Sequence, residues 1–439
     1  MNNCITKTVK KKLDSAIDSV VKNKSLFVRN PGKDFTRKRL LTMEDVIRSY
    51  INFSDKSLTS EIPELFSDKD VPHIPSKSAF IQRADQIRPD AFEQIFYSFS
   101  DSLDAPAALK GMRLIACDGS DVNIPHKADY DGTFVQQKGK SGYNQIHLNA
   151  SFDVLNCIYT DVVIEPENGF DERNALCTMA ARCKFKNKAV FIADRGYEGF
   201  NNIARLQHIG ANFLIRLKDI SSNGILASYD TSGLDDEFDI NFSTTLTYST
   251  KNQYRNDASC THILKNKFDF FGDSDTYEFS VRVCRFRISE NSYECVATSL
   301  SRRRFPIGMI KNIYKLRWNV ETGFRKLKYA IDLVHFHSKK KESILKEIFS
   351  RLIMFNFAQH LYGLIAKTKK LSSNSNNKYV YTVNFSAVAN ACKRFLRPGG
   401  QCLDVDELCC RDLTAVRPDR QYPRKIHPQS AKPFTYRVS

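Results

Sequence analysis

Four side chains of one predicted helix are able to act together on a phosphate group. They are Tyr314 and the residues three, seven and fourteen positions after it, which are Arg317, Glu321 and Lys328. At about 100° per residue, these offsets place the four side chains within an arc of about 60° on a helix. One carboxylate then shares a helix face with two cations and a phenol. This pattern predicts an acid that binds a metal ion beside groups that hold a phosphate backbone.

An apolar stripe beside these four residues predicts that the helix docks on a core with one polar edge. The stripe consists of Ile313, Leu316, Val320, Phe324, Leu327 and Ile331. The alternative is a solvated helix face that carries an ordinary Glu–Arg pair four residues apart.

Two aspartates upstream stand where such an acid needs partners. Asp118 ends the apolar run RLIACD before Gly119, and Asp194 ends AVFIAD before an Arg-Gly-Tyr sequence. An acid at the carboxyl end of a buried strand lies at the rim of the sheet, and a following glycine permits a tight exit. Asp153, after NQIHLNASF, looks similar and is a second candidate ligand. Alternatively, such an Asp only terminates a strand.

Two strand-end carboxylates and one helix carboxylate are able to hold two divalent metal ions. Oxygen ligands favour Mg²⁺ or Mn²⁺ over zinc. Two ions about 4 Å apart stabilise both the attacking and the leaving oxygen of a phosphoryl displacement. The predicted reaction is attack of water, or of a DNA 3′-hydroxyl, on a phosphodiester.

The distribution of residue types along the chain predicts an α/β protein with a mixed-sheet core and a β-rich insertion. It also predicts a helical N-terminal region and a helical, basic C-terminal region. Short β-branched runs separated by turns or helices predict the sheet. Strands rich in Thr, Tyr, Phe and Val predict the inserted antiparallel unit. The expected boundaries are 1–104, 105–220, 221–300, 301–370 and 371–439.

Helix starts are marked by Thr42, Ser57, Ser76 and Asp171. Two short helices around a proline-containing turn predict either a helix-turn-helix or an ordinary helical bundle. In the first case, the second helix presents Lys77, Gln82 and Arg83 to DNA.

The charge of the chain favours a polyanionic partner. The formal net charge is +17, while an apolar fraction of 42% supports real cores and excludes a disordered protein. Because cations cluster in runs, nucleic acid is favoured over a generally basic surface. These runs are Lys10–Lys12, Arg302–Arg304, Lys339–Lys341 and the tail 417–439.

Other site classes lack their sequence signatures. The twelve cysteines form no C-x-x-C pair, so no zinc site is expected, and they fit a reduced intracellular protein. His335 and His337 have no third ligand in sight. No glycine-rich nucleotide loop is present, so no nucleotide cofactor is expected. The apolar stretch LIMFNFAQHLYGLIA predicts a buried helix and not a membrane span, and no signal peptide is expected.

The pattern Y-x-x-R-x-x-x-E-x-x-x-x-x-x-K resembles the signature of the insertion-sequence-four family of DDE transposases. The order of the D-G-S block at Asp118, the D-R-G-Y block at Asp194 and the helix acid Glu321 also resembles that family. Trp318 directly after Arg317 fits it too. The resemblance spans about residues 105–340, and a β-rich insertion between the second Asp and the Glu is a further feature of the family.

The resemblance implies specific roles. Asp118, Asp194 and Glu321 would bind two Mg²⁺ ions, with Mn²⁺ possible, in an RNase H-like core. DNA phosphates near the cut would be held by Tyr314, Arg317 and Lys328. Some relatives stack a flipped base on a Trp in the last strand of the insertion. The lone Trp here is in the helix, so Tyr293 is the expected stacker, or else a core or cross-strand residue.

The resemblance also implies a cut-and-paste transposase in the cytoplasm, associated with the nucleoid. Its partners would be double-stranded DNA, both terminal inverted repeats and target, and a second copy of the chain in a homodimer on paired ends. Three alternatives stay open. They are a catalytically inactive or repurposed DNA-binding protein, an RNase H-like nuclease without strand transfer, and a basic structural protein.

Overall fold

The fold is described from a computed structural model of the chain. Most of the chain is described, and its ranges are 3–37, 39–136, 142–220, 222–227, 229, 233–255, 257, 259–368, 380–398, 400, 403–411 and 413–416. The loop predicted for KTKKLSSNSNNK falls almost entirely outside these residues, and so does the basic tail 417–439.

Helices occupy both ends of the described chain and separate the strands of its middle. In chain order the α-helices are α1 (Asn3–Lys22), α2 (Met43–Asn52), α3 (Leu58–Leu65), α4 (Lys77–Asp85), α5 (Asp90–Ser102), α6 (Glu172–Arg182), α7 (Phe200–Ile209), α8 (Asn252–Arg255), α9 (Ile307–Lys315), α10 (Asn319–Tyr329), α11 (Lys341–Thr368), α12 (Phe385–Leu396) and α13 (Val405–Cys409).

One large mixed sheet dominates the middle of the chain, which is therefore a mixed α/β structure. Its strands are β1 (Arg113–Ile124), β2 (Phe134–Val135), β3 (Tyr143–Asp153), β4 (Ile158–Pro166), β5 (Ala189–Ala193), β6 (Asn212–Leu217), β7 (Phe238–Thr247), β8 (Cys260–His262), β9 (Thr276–Ser289) and β10 (Ser292–Thr298). A separate hairpin pairs β11 (Val380–Val383) with β12 (Leu413–Val416).

The first half of the sheet is built by hairpins and then by crossovers. Strand β3 pairs antiparallel with both β1 and β4. Strand β5 then pairs parallel with β1, and β6 pairs parallel with β5. Helices α6 and α7 make the two crossover connections, as parallel pairing requires. The carboxyl ends of β1, β5 and β6 consequently point toward the same edge.

The strands predicted as an inserted unit continue this same sheet. Strand β10 pairs antiparallel with β6, and the order then runs β10, β9, β7 and β8. Strands β7, β9 and β10 are antiparallel neighbours, but β8 runs parallel to β7. A sequence pattern reports which residues form strands, but it does not report where an inserted strand finds its hydrogen-bonding partner.

The N-terminal helices begin at the predicted residues because these side chains satisfy free backbone N–H groups. Thr42 and Asp45 form a complete capping box at α2. Ser57 accepts a hydrogen bond from the N–H of Ser60, and Ser76 accepts one from that of Ala79. The cap at α6 is also confirmed, since the Asp171 side chain accepts from the N–H of Asn174.

The helix-turn-helix interpretation of α3 and α4 is not supported. Residues 66–76, including a 3-10 turn, separate the two helices, whereas the motif uses a turn of about 3–4 residues. Arg83, expected to face DNA, donates to the carbonyl of Leu41 and stacks on Phe35 with 3.7 Å between its guanidinium carbon and the ring centre. Arg83 therefore stabilises the helical region itself.

Helix α11 joins the N-terminal helices to the sheet. Its apolar residues Leu352, Phe355 and Phe357 are fully buried in the hydrophobic core that also contains α1, α2 and α5. Buried Asn356 accepts from the N–H of Tyr159 and donates to its carbonyl, which fixes the helix to β4. This confirms the buried helix predicted for LIMFNFAQHLYGLIA. Among the described helices, none combines the length and apolarity needed to cross a bilayer.

Candidate active site

The site begins on β1, beyond the point where its pairing with β5 ends. Strand β5 pairs only with residues 113–116 of β1, whereas β3 pairs with β1 as far as Ile124. Asp118 therefore lies within a strand and not at its end, and the prediction of a tight exit at Gly119 is wrong. Because β5 stops at Ala193, the edge of β1 is open beside Asp118.

Asp194 lies where β5 ends, one strand away from Asp118. It is the N-cap of a 3-10 turn formed by Arg195–Tyr197, and its Oδ1 accepts a hydrogen bond of 2.7 Å from the N–H of Gly196. This bond fixes the carboxylate at the carboxyl edge of the sheet, where the predicted strand-end acid was expected.

Glu321 reaches the site from the other side, through Arg317. One guanidinium nitrogen of Arg317 lies 3.6 Å from Asp118 Oδ2, and the other lies 3.3 Å from Glu321 Oε1. The Arg317 side chain is only 5% exposed. A buried cation thus bridges the acid of β1 and the acid of α10.

The helix that carries these residues is interrupted. The sequence predicts one continuous helix, but α9 ends at Lys315, and a 3-10 turn over Leu316–Trp318 precedes α10. A 3-10 turn advances about 120° per residue instead of about 100°. This tighter turn carries Arg317, and it leaves Trp318 49% exposed.

The charges of Asp118, Asp194, Glu321 and Arg317 shift one another's pKa values. Burial raises the pKa of Asp118 to about 7, the charge of Arg317 opposes this rise, and the charges of Asp194 and Glu321 add to it. Burial by itself would lower the pKa of Arg317, but Tyr314 and the same three acids raise it overall. One arginine therefore faces three acids, and the negative charge of the cluster exceeds the positive charge beside it.

The other two members of the helix pattern lie in different environments. Lys328 donates a 2.6 Å hydrogen bond to the carbonyl of Asp121 on β1, and its burial lowers its pKa. Tyr314 is 1% exposed, with its ring 6.0 Å from the Arg317 guanidinium carbon. The expected contact between Tyr314 and a DNA phosphate is not available in this conformation, because the side chain is packed into the core below Arg317.

The contacts of Tyr293 do not bring it to the carboxylates. It lies at the start of β10, where its hydroxyl bonds Asp236 and Arg287. The Arg285 guanidinium carbon lies 4.0 Å from the ring centre. One face of the ring is thus already occupied by a cation.

Asp153, the second candidate ligand, is excluded from the site. It is fully buried at the far end of β3, where it pairs with Ile115 and not with Asp118. Its carboxylate accepts hydrogen bonds from Arg113 Nε at 2.7 Å and from the backbone of Leu155 and Asn156. These donors close the turn between β3 and β4, so Asp153 is structural.

A second polar cluster, not found from the sequence, lies against Gly119. The ring nitrogens of His147 lie 2.7 Å from Asp121 Oδ1 and 2.9 Å from Glu172 Oε1. A Cβ on Gly119 would overlap both His147 Nε2 and Glu172 Oε1. Glycine beside Asp118 thus makes room for this pair. The glycine was visible in the sequence, but its neighbours across the sheet were not.

Asp121, His147 and Glu167 also have ligand atoms within 4.8 Å of one another, as a metal site requires. Burial by itself would lower the pKa of His147, but its hydrogen bonds to Asp121 and Glu172 raise that pKa to about 9. Both ring nitrogens of His147 are thus engaged by carboxylates in this structure. An ion held by Asp121, His147 and Glu167 would require His147 to release its proton.

The family of the chain follows from its sequence. Residues 109–357 match the family model described as the transposase DDE domain. The chain belongs to this transposase family. The matched range includes Asp118, Asp194 and Glu321, and it begins just before β1 and ends within α11. No curated protein matches the chain in sequence.

One solved structure resembles the chain over most of its length. The transposase chain is similar to a piggyBac transposase in a cryo-EM synaptic complex with hairpin DNA, at 8% identity and a TM-score of 0.46. The alignment covers 91% of this chain and 81% of the piggyBac chain.

Proposed function

We propose that this protein is the DNA transposase of an insertion sequence of the insertion-sequence-four type. It binds terminal inverted repeats, cleaves DNA strands at the element boundary and joins the freed ends to target DNA. One observation carries the proposal in addition to the family. The carboxylates of Asp118 and Glu321 lie 3.6 Å and 3.3 Å from the buried guanidinium of Arg317, and the charge of Asp194 acts on the same guanidinium.

The donor set fits hard divalent ions such as Mg²⁺ or Mn²⁺. All three donors are carboxylates, and Mg²⁺ and Mn²⁺ prefer oxygen ligands. The Glu321 side chain is 38% exposed, so the cluster is open to solvent. The raised pKa of Asp118 supports the fit, because a group of acids with too little positive charge nearby gains from a bound cation. Two ions bound there would activate the attacking hydroxyl and stabilise the leaving oxygen.

The residues of the chain supply the remaining functions. In this proposal Arg317 and Lys328 hold phosphates near the cut, Arg317 through a planar fork and Lys328 as a point charge. Because Arg317 is only 5% exposed and faces Asp118 and Glu321, its guanidinium must become accessible before it holds a phosphate. Both cations already lie beside β1, through Asp118 and the carbonyl of Asp121. Tyr314 acts by supporting Arg317 from below. Tyr293 as the stacking partner of a flipped base stays a prediction.

The proposal also assigns roles to the sheet and to the helical and basic regions of the chain. An RNase H-like core is supported by the hairpins β1, β3 and β4, the parallel strands β5 and β6, and acids at one sheet edge. The N-terminal helices, the strands of 221–300 and the basic tail bind DNA in this proposal. The net charge of +17 supports a polyanionic partner. The protein works in the cytoplasm on the nucleoid, as a homodimer on paired ends.

Cleavage of the element's own terminal DNA tests the proposal. Purified protein is incubated with that DNA and Mg²⁺ or Mn²⁺, beside Asp118→Asn, Asp194→Asn and Glu321→Gln. We expect nicking at the element boundary by the wild type only, with DNA binding retained by all four proteins. Equal binding without cleavage by any of them would identify a repurposed DNA-binding protein.

Pre-nicked ends separate a transposase from a nuclease of the same fold. A transposase joins such ends to a target duplex, whereas a nuclease without strand transfer releases them unjoined. The same three variants serve as controls, because strand transfer needs the same carboxylates as cleavage.

A further inference from the structure

A buried histidine lies among acids on the face of the sheet opposite the Asp118 side chain. Asp118 and Asp121 are three residues apart on β1, so their side chains point to opposite faces of the sheet. His147 on β3 pairs with Asp121 on one side and with Glu165 of β4 on the other, and its side chain is 6% exposed. This group is therefore separate from the proposed catalytic acids.

Three side chains of this group meet as the ligands of one ion would. Asp121 on β1, His147 on β3 and Glu167 just after β4 offer ligand atoms within 4.8 Å of one another. Glu167 Oε2 is buried and has no hydrogen-bond partner among the described residues. Asn149, fully buried on the same face of β3 as His147, has an Oδ1 that also lacks a partner in the described part of the chain. Buried oxygens without a donor cost free energy, and a bound cation would remove that cost for Glu167.

The acids around His147 outnumber its single positive charge. Its ring nitrogens lie against Asp121 and Glu172, and its charge also acts on Glu165 and Glu167. Burial raises the pKa of both Glu165 and Glu167. A divalent cation would supply positive charge to this group.

The imidazole is oriented for an ion at Nδ1. Its Nε2 lies 2.9 Å from Glu172 Oε1, and its Nδ1 lies 2.7 Å from Asp121 Oδ1. A carboxylate that accepts from one ring nitrogen directs the other toward a metal, which is the usual arrangement of ligating histidines. The Phe170 ring stacks on the imidazole with centres 3.9 Å apart and holds its plane. The Asp121 side chain is 48% exposed, so an ion has access from solvent.

We propose that Asp121, His147 and Glu167 bind one divalent ion of the zinc type, an inference that does not depend on the proposed function. One imidazole and two carboxylates suit Zn²⁺ better than Mg²⁺, because Mg²⁺ prefers oxygen ligands and water. The ion takes the place of the Nδ1 proton, which is released to solvent, while Nε2 keeps its proton for Glu172. The ion ties the end of β4 to β1. Cysteine spacing carries no signal for this site, because strand pairing brings its ligands together.

The test measures Zn²⁺ binding to the full-length protein by equilibrium dialysis at pH 8. The background Asp118→Asn with Asp194→Asn, together with excess Mg²⁺, keeps Zn²⁺ from the proposed catalytic acids. Because the pKa of His147 is raised to about 9, its proton weakens binding about 10-fold at this pH without abolishing it. His147→Gln and Glu167→Gln each remove one ligand. His208→Gln is the matched control, since His208 is an exposed histidine of α7.

We expect the parent to bind one Zn²⁺ per chain that excess Mg²⁺ does not displace. His147→Gln and Glu167→Gln each lower the affinity about 10-fold or more, and His208→Gln binds as the parent does. Glu167→Gln leaves the hydrogen bonds of His147 in place, so circular dichroism should show an unchanged fold. Undiminished affinity in either ligand variant, weakened binding in His208→Gln, or no saturable binding by the parent would overturn the site. Each of these results would leave the proposed function standing, because DNA cleavage is measured separately.

Discussion

At the scale of single residues, Asp118 occupies a position at which the charge of its carboxylate costs stability. Burial and two neighbouring acids raise its pKa to about 7, and Arg317 only partly offsets them. A carboxyl whose pKa is raised on folding binds its proton more tightly in the folded state. Its ionisation therefore destabilises the fold, increasingly as pH rises from about 4 to 7.

We accordingly expect Asp118→Asn to be more stable than the wild type at pH 8 in EDTA, by on the order of 1 kcal/mol or more. Arg317 keeps Glu321 as a partner in this variant. Thermal unfolding measures the difference. Mg²⁺ should stabilise the wild type more than Asp118→Asn. A variant less stable than the wild type in EDTA would show that Asp118 is a net stabilising partner of Arg317.

His147 gives the opposite dependence on pH. Its folded-state pKa is raised to about 9, so its ion pairs stabilise the fold fully below about pH 6.5. That contribution is lost as pH rises through about 9. Half-exposed Asp121 is screened by solvent, which reduces the effect to on the order of 2 kcal/mol.

The measurement compares the free energy of unfolding of the wild type with that of His147→Gln between pH 6 and 10. We expect the wild type to be the more stable at pH 6, and the difference to shrink between pH 6.5 and 9. A constant difference across this range would mean that packing, and not charge, is what His147 contributes.

The sequence placed Asp118 and Asp194 first and kept Asp153 as a second candidate ligand, but its local patterns contain no structural reason for that order. Asp118 and Asp153 both follow apolar runs, and locally they look alike. What separates them is Arg113, forty positions before Asp153 in the chain, which forms an ion pair with the buried Asp153 carboxylate. The role of an acid depends on partners across the sheet, and local patterns do not contain that information.

At the scale of elements, β1 carries a glycine, Gly119, at a position where a larger side chain does not fit. Gly119→Ala would push a methyl group against His147 and Glu172, which hold each other in place. Overpacking of this kind costs about 1–3 kcal/mol. We expect Gly119→Ala to lose that much stability in urea denaturation, and to lose cleavage activity because Asp118 is its neighbour.

Gly363→Ala is the matched control. Gly363 lies inside α11, where an added Cβ meets nothing within 4 Å. Alanine in a helix interior is favoured over glycine by about 1 kcal/mol. This substitution should therefore stabilise the protein. Equal effects of the two substitutions would show that His147 moves freely away from Gly119.

Helix starts were predictable and helix interruptions were not. The caps at Thr42, Ser57, Ser76 and Asp171 are local, because one side chain satisfies an N–H group two or three residues later. The 3-10 turn at Leu316–Trp318 has no proline or glycine to announce it. It coincides with the ion pairs of Arg317, one of which, to Asp118, joins distant parts of the chain.

At the scale of the whole molecule, a buried polar network joins the N-terminal helices to α11. Glu61, fully buried, lies 3.4 Å from His337, which also bonds Glu347. Burial opposes the charge of Glu61, yet His337 and Arg351 hold its pKa below the ordinary value. Arg351 also donates to the carbonyls of Phe53 and Ser54.

Removing one partner of such a network leaves buried charge without compensation, at a cost of about 3–5 kcal/mol. We expect Arg351→Met to lose stability of this order in urea denaturation. Arg394→Met, at an exposed position of α12, should stay within about 0.5 kcal/mol of the wild type. A small effect of Arg351→Met would mean that water enters and solvates Glu61.

The continuity of the sheet has a consequence for synthesis on the ribosome. Asp118 and Asp194 emerge first, and α10, which begins after β10 ends, emerges later. Chains generally fold from the N-terminus as they emerge. A nascent chain that stops before Arg317 holds two acids near one sheet edge without the bridging cation or the third carboxylate. The cluster of Asp118, Asp194, Arg317 and Glu321 is therefore complete only after α10 has been synthesised.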